Sequence, residues 1–212
     1  MDIIDQLIGK LIYLPAIIVG LSFHEFAHAA VASKLGDPTA KSLGRVTINP
    51  LAHIDVLGFL ALLLIGFGWG KPVPIDPRYF KHRRRDEILV SLSGVTMNLI
   101  LAILFTGILK LLDQSANPFF ATAPGGILIQ MLVGCIWINL VLLIFNLIPI
   151  PPLDGFNVLA EVLNLRRTPL YYQIYEKGPF LLLLLIFFNL TDLILGPGVQ
   201  FAYQILFNLF FS

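Results

Sequence analysis

Charged side chains and cysteines are scarce in this 212-residue chain, and each shortage excludes a class of protein. Charged residues make up 13% and hydrophobic residues 57%, whereas a soluble domain carries about 25% charged residues. The single cysteine, Cys135, excludes a disulfide framework and a four-cysteine metal site. The net charge of +1 argues against a nucleic-acid partner, which normally requires a clustered basic face. We therefore expect lipid, not water, to surround most of the chain.

The sequence shows neither the features of a cleavable signal peptide nor internal repeats. The N-terminus begins with Met1, Asp2 and Ile3 and is acidic, whereas a signal peptide starts with basic residues and ends at a small-residue cleavage site. We expect the first apolar helix to be retained. The sequence predicts a single membrane-embedded domain over residues 1–212.

Four apolar segments approach the length of about 20 residues that a bilayer requires. They cover roughly residues 7–33, 88–112, 126–147 and 179–195. A fifth stretch, residues 56–68, is rich in glycine and too short to cross, which favours a re-entrant segment. The aromatic tail, residues 199–211, is predicted to lie in the interface or against the bundle.

The basic residues predict the orientation of these spans. If residues 56–68 do not cross, the loops on one side hold most of the cations: Lys34, Lys41, Arg45, Lys71, Arg78, Lys81, Arg83, Arg84, Arg85, Arg166, Arg167 and Lys177. Only Lys10 and Lys110 remain on the other side. Because cytoplasmic loops carry the excess of Lys and Arg, the first side is predicted to be cytoplasmic and the N-terminus extracytoplasmic.

Two short segments between the first two spans favour extended backbone. Residues 42–48 alternate and contain β-branched side chains, which is typical of a strand. Residues 71–75 contain two prolines, which bias their neighbours away from helix. The sequence therefore predicts a small β element at the cytoplasmic membrane edge, with an irregular cytosolic loop as the alternative.

A His-Glu-x-x-His motif, formed by His24, Glu25 and His28, lies inside the first apolar segment. Side chains four residues apart share one helix face, so both imidazoles can bind one zinc ion while Glu25 stays free to act as a base. The motif also arises by chance on solvated helices. At membrane depth that explanation loses weight, because a charged group there costs about 3 kcal/mol or more.

Asp154 is the candidate for the third zinc ligand. It follows the third span, which ends on the same side as the inner end of the first span. The two histidines lie 6 to 10 residues before Lys34, or about 9–15 Å deep. The prolines around Asp154 prevent a regular helix, and irregular backbone at this depth is tolerated where it lines a wet cavity. A simple turn aspartate is the alternative.

These motifs, taken in order, resemble the site-2 proteases, which are zinc-dependent intramembrane proteases. The segments that carry the resemblance are residues 22–28, 44–55, 68–74, 93–98 and 146–155. The chain is similar to the compact bacterial branch that lacks a PDZ domain. The resemblance implies one zinc ion per chain bound by His24, His28 and Asp154, with Glu25 as the catalytic base.

The resemblance also indicates less certain site residues. Asn98 matches the family's Gly-x-x-x-Asn element and would bind a substrate carbonyl or an oxyanion, or else pack beside Gly94. His53 matches an Asn-Pro-x-x-His-x-Asp element with Asn49 and Asp55. It would touch the metal in a closed state, orient Asp55, bind substrate, or serve only the loop. His82 belongs to a basic cluster expected to face anionic lipid.

The sequence therefore predicts an all-helical, multi-pass zinc endopeptidase of the cell membrane, with its active site towards the cytoplasm. It would cut membrane-spanning segments of other proteins. A transmembrane helix must be unwound before water reaches its peptide bonds, and strand addition at Val46 or Val73 would hold the unwound segment. One rival is a zinc-binding homologue without activity, which would not need Glu25. The other is a metal transporter, which would need polar sites across the whole bilayer.

Overall fold

The computed structural model of the chain describes residues 3–211, all of whose regular secondary structure is helical. Met1 and Asp2, part of the basis for the signal-peptide prediction, lie outside the described residues. The helices are α1 (Ile3–Lys34), α2 (Thr39–Ser42), α3 (Val56–Ile65), α4 (Arg83–Gln114), α5 (Ala123–Asn146), α6 (Asp154–Val162), α7 (Pro169–Phe187) and α8 (Asp192–Phe211). Short 3₁₀ turns cover Pro50–Ala52, Pro77–Tyr79, Pro118–Ala121 and Leu165–Arg167.

Four of the described helices are long and apolar enough to cross a bilayer. They are α1 from Ile12 onward, α4, α5 and α8. At about 1.5 Å per residue, the 20 residues of α8 cover the hydrocarbon thickness of about 30 Å. The predicted all-helical architecture is confirmed, and about four helices of spanning length were expected and are present within residues 3–211.

The fourth span lies elsewhere than predicted. The sequence placed it at residues 179–195, but α7 ends at Phe187 and α8 begins at Asp192. Asn189 adopts a left-handed conformation with φ of 55°, and the Leu190 N–H donates to the Leu185 carbonyl. This turn ends α7, because a left-handed residue directs the chain away from the helix axis. The tail that was predicted to be a short interfacial helix is instead part of spanning-length α8.

The predicted β element does not form within residues 3–211. Ser42 belongs to α2, and the one β-bridge in the described chain joins Ile54 to Gly70. The Arg45 guanidinium takes over the role expected of strand pairing, since it donates to the carbonyl groups of Pro72 and Lys71 at 3.2 and 2.6 Å. A side chain, not a backbone ladder, therefore connects the two predicted strands.

The short apolar stretch forms one helix, α3, followed by a return segment that brings the two ends of the stretch together. Helix α3 has 10 residues, or about 15 Å, and the bridge between Ile54 and Gly70 closes its base. The returning chain passes so close that a Cβ on Gly68 would lie 2.2 Å from the Gly58 carbonyl oxygen. Only glycine permits this approach. Helix α3 is too short to cross a bilayer.

The core lies between α1, α4 and α5, which pack against one another. Helix α8 covers the outer part of this bundle, where Val199 and Leu206 contact Ala102, Ile136 and Leu140. A second cluster joins α1 to the loops, with Val46 and Ile75 packed on Ala29, Ala40 and Val73. The three-helix core holds the functional motif of α1 against the polar residues of α4 and α5.

Candidate metal centre

Two histidines of α1 and one aspartate of α6 converge inside the bundle. His24 Nε2 and His28 Nε2 lie 3.0 Å apart, and each is 3.2 Å from Asp154 Oδ2. The histidines are buried, and the Asp154 side chain is 13% exposed. Among the described residues, no other group of histidine, cysteine or acidic side chains is clustered in a way that suits a metal ion.

The chain reaches this point from two directions. The spacing of four residues in α1 stacks the imidazoles on one face. Asp154 is the first residue of α6, directly after the irregular segment that follows α5. Leu153 anchors this segment because it packs with Ile148 and Leu182 in a buried cluster. The segment that follows α5 and the His-Glu-x-x-His motif of α1 therefore meet.

Hydrogen bonds define the tautomer of both imidazoles. His28 Nδ1 lies 2.8 Å from the Val90 carbonyl, and His24 Nδ1 lies 2.7 Å from Asn98 Oδ1. Both partners are oxygens that only accept, so each Nδ1 carries the hydrogen and each neutral ring presents a lone pair at Nε2. Asp154 Oδ2 is buried without a hydrogen-bond donor in the described structure. Three electron-pair donors therefore face one another, which is unfavourable unless a metal cation or a proton lies between them.

The donor set fits zinc. Ligands about 2.0–2.1 Å from a tetrahedral zinc ion lie about 3.3 Å from one another, close to the 3.0 and 3.2 Å observed. The space beside the donors is kept open by Gly94 of α4, where a Cβ would lie 2.5 Å from His28 Nε2 and 2.6 Å from His24 Nε2. Two imidazoles and one carboxylate leave a fourth position for water or substrate.

Glu25 lies beside this group and is engaged by a loop. Its Oε2 accepts a hydrogen bond of 2.9 Å from the Val73 backbone N–H, and its side chain is half-buried. Val73 belongs to the extended segment that was predicted to be a strand. A main-chain N–H of this segment therefore donates to a carboxylate of α1 and not to a neighbouring strand.

Asn98 is fully buried and contacts His24 directly. Its Nδ2 donates to the Gly20 carbonyl at 3.1 Å and to Asn139 Oδ1 at 2.9 Å. Both amide hydrogens are therefore occupied, and no hydrogen remains for the substrate carbonyl or oxyanion considered in the sequence analysis. In this arrangement Asn98 orients a candidate metal ligand.

His53 lies away from the three converging side chains and inside the loop after α2. It is fully buried, and its Nε2 lies 2.7 Å from the Thr47 carbonyl. Its Nδ1 lies 3.4 Å from Arg45 Nη2. Asn49 caps the turn at Pro50–Ala52, and Asp55 caps α3. In this arrangement these residues hold the loop together.

Sequence reasoning missed two residues of this region. Arg45 is buried and joins the two loop segments, whereas the sequence analysis predicted a cytoplasmic cation within a strand and gave it no role in connecting the loops. Asn139 is fully buried in α5 and bonded to Asn98. A polar amide within a span is itself a signal of function or helix packing, and this signal would have identified Asn139.

Comparison with known proteins gives the family. "Putative zinc metalloprotease YwhC" of Bacillus subtilis (strain 168) is 37% identical over 194 residues, which cover 92% of this chain and 88% of that protein. The family model for Peptidase family M50 matches residues 114–188. The chain belongs to peptidase family M50. The resemblance to site-2 proteases that the sequence motifs indicated is thus confirmed, and no PDZ domain is identified within residues 3–211.

Other M50 relatives agree over shorter stretches. "Putative zinc metalloprotease Rip2" of Mycolicibacterium smegmatis (strain ATCC 700084 / mc(2)155) is 31% identical over 153 residues, or 69% of this chain and 55% of that protein. "Putative zinc metalloprotease MJ0611" of Methanocaldococcus jannaschii is 34% identical over 151 residues, which cover 70% of this chain and 69% of that protein. No solved structure matches the chain. This M50 protein is a metalloprotease, its described residues include four spanning-length helices, and a zinc cofactor fits its family.

Proposed function

We propose that this M50 protease is an intramembrane endopeptidase that binds one zinc ion through His24, His28 and Asp154. The observation that carries the proposal is the convergence of three electron-pair donors, 3.0 to 3.2 Å apart, in the interior of a bundle of spanning-length helices. The substrates of the protease would be membrane-spanning segments of other proteins, because the donors lie within a bundle of spanning-length helices.

The proposed mechanism assigns a separate task to each polar group. A zinc ion held by the three donors would polarise the scissile carbonyl and lower the pKa of a bound water towards about 7. Glu25 accepts the proton of the attacking water and delivers it to the leaving amine. Asn98 and the Val90 carbonyl hold the two imidazoles with Nε2 directed towards Asp154. Glu25 needs to be mobile enough to exchange the Val73 N–H for water.

We place the active site towards the cytoplasm. This proposal is supported by ion pairs that gather the basic residues at one end of the bundle. Arg166 pairs with both Glu87 and Glu161, and Arg84 donates to the Val162 carbonyl at 2.6 Å. The basic loops before α4 and before α7 are therefore adjacent, as the positive-inside rule requires of one cytoplasmic face. Helix α3, whose ends meet, would enter and leave the membrane from that face.

The extended loop beside Glu25 is the proposed site of substrate handling. Val46 and Val73 belong to one hydrophobic cluster, and the Val73 N–H donates a hydrogen bond to the Glu25 carboxylate. An unwound substrate segment would align beside residues 71–75 and form main-chain hydrogen bonds with them. His53 and Asn49 support this region from within the loop and are not proposed to touch the metal.

We predict that Val73→Pro lowers cleavage by about tenfold and leaves zinc binding unchanged. Proline removes the N–H that bonds Glu25 and would bond a substrate, and one such hydrogen bond to a charged group contributes about 1.5 kcal/mol or more. Initial cleavage rates and zinc content measured on purified protein would test this. Val73→Ala keeps the N–H and is the matched control. Equal losses in both variants would assign the effect to the side chain and contradict the prediction.

The intramembrane assignment is tested with a reconstituted protease and a single-span reporter protein. We expect a Gly-Pro pair in the cytoplasmic third of the reporter span to raise the cleavage rate by about tenfold, because each pair removes several kcal/mol of helix stability. The matched reporter carries the same pair in the outer third and is expected to be cut at the basal rate. Mass spectrometry of the products locates the cleaved bond.

Two outcomes would contradict the proposed function. One is cleavage near the outer end of the span, which would place the zinc on the wrong side of the membrane. The other is rapid cleavage of an unstructured soluble peptide with no cleavage of any membrane-spanning reporter. In both assays a metal chelator should stop the reaction and added zinc should restore it.

A further inference from the structure

Asn139 of α5 is a buried polar residue that the proposed mechanism does not yet use. It is fully buried in the middle of a span, on a helix whose other buried residues are apolar or glycine. An amide in such a place is unfavourable unless its donors and acceptor are satisfied. The Asn139 amide has two hydrogen-bond partners, the Cys135 carbonyl of its own helix and the Asn98 side chain of α4. Its position links α5 to the group that contacts His24.

The direction of each hydrogen bond in this link is determined by backbone carbonyls. The Cys135 carbonyl accepts from Asn139 Nδ2 at 2.8 Å, so Asn139 Oδ1 must face Asn98. That oxygen accepts from Asn98 Nδ2 at 2.9 Å, and the Gly20 carbonyl accepts from the same nitrogen at 3.1 Å. Asn98 Oδ1 must therefore face His24 Nδ1, 2.7 Å away. Carbonyl oxygens only accept, which gives the whole relay one polarity.

A reversed Asn98 amide would change the chemistry of His24. Its Nδ2 would then donate to His24 Nδ1, and the ring hydrogen would move to Nε2, where it would occupy the lone pair directed at Asp154. A histidine in that tautomer cannot bind a metal ion through Nε2. Two acceptors on Asn98 Nδ2 prevent this reversal, and one of them is Asn139.

We propose that Asn139 is a positioning residue that acts through Asn98 to keep His24 in the tautomer whose Nε2 binds the metal. The inference rests on the proposed zinc site. It extends that site, whose groups lie on α1, α4 and α6, to a fourth helix, because the relay joins α5 to α4 and α1. Partners in the outer shell of metal-bound histidines typically contribute 10- to 100-fold to metal affinity.

The test compares zinc affinities by chelator competition in detergent-purified full-length protein. Asn98→Leu is expected to weaken zinc binding by about 10- to 100-fold, and Asn139→Leu by about tenfold, because the Gly20 carbonyl still restrains Asn98. Thr106→Val is the matched control. Thr106 is equally buried on α4 and bonds only the Ala102 carbonyl in the described structure, so its removal should leave zinc affinity unchanged.

The double variant decides whether Asn139 acts through Asn98. If it does, Asn98→Leu together with Asn139→Leu weakens zinc binding no more than Asn98→Leu alone. Independent effects would multiply to about 100-fold or more and would overturn the proposal. An unchanged zinc affinity in Asn139→Leu would also overturn it.

A conservative variant separates positioning from packing. Asn139→Asp, protonated at this depth, presents one donor and one acceptor as the amide does, and we expect its zinc affinity to stay within about threefold of wild type. A loss as large as that of Asn139→Leu, at an equal melting temperature, would reject the relay. If wild-type protein bound no zinc at all, the proposed function itself would fail. That result differs from zinc binding whose affinity is unchanged by substitution of Asn139, which would overturn only the relay.

Discussion

Glu25→Gln is expected to lower the rate of peptide hydrolysis by about 10²- to 10⁴-fold while zinc content stays at one ion per chain. Glutamine has nearly the same shape and keeps an oxygen for the Val73 N–H, but it cannot accept the proton of the attacking water. General base catalysis contributes a factor of this size. Glu25 does not belong to the three converging donors. Its loss should therefore remove chemistry without removing metal.

The measurement pairs single-turnover cleavage of a membrane-spanning reporter with zinc analysis of the same sample. Glu176→Gln is the matched control, because Glu176 is exposed on α7 and the substitution is chemically identical. We expect this control to cleave at the wild-type rate. Equal cleavage by Glu25→Gln and wild type would exclude Glu25 as the base.

Asp154→Asn is expected to lower zinc affinity by about 10²- to 10³-fold and cleavage with it. Zinc sites of four ligands have binding free energies of about 10–16 kcal/mol, or about 2.5–4 kcal/mol per ligand, and each 1.4 kcal/mol is about tenfold. The amide also lacks the negative charge that faces the two imidazoles. Unlike Glu25→Gln, this variant should recover part of its activity when zinc is raised.

Chelator competition and cleavage at several zinc concentrations distinguish these two kinds of loss. Asp113→Asn provides the matched control, since Asp113 is exposed near the end of α4. It should bind zinc as tightly as wild type. Tight zinc binding by Asp154→Asn would remove residue 154 from the metal site and leave the two histidines without their carboxylate partner.

The candidate site was predictable from the sequence because its elements follow local rules. A helix places residues four apart on one face, which predicted the pairing of His24 and His28. The distribution of basic residues and the lengths of the apolar segments brought Asp154 to the same end of the bundle. The structure brings these three side chains within 3.2 Å of one another.

The predictions about the loops and the last span failed because they depended on partners distant in the chain. Alternation at residues 42–48 is compatible with a strand, yet a strand needs a neighbour, and the Arg45 side chain occupies the carbonyl groups that would pair. Residues 179–195 are mostly apolar, but a left-handed turn at Asn189 divides them between α7 and α8.

The sequence alone determined the helical character of this protease, its spanning-length apolar segments, and the residues that we propose bind and activate a metal. These properties follow from composition, from helical periodicity and from charge asymmetry, all of which are local or additive. Tertiary structure alone decided that Val73 bonds Glu25, that Asn98 bonds His24, and that Asn139 bonds Asn98. These bonds join residues 48, 74 and 41 positions apart, and only the packing of α1, α4 and α5 brings such partners within hydrogen-bond distance.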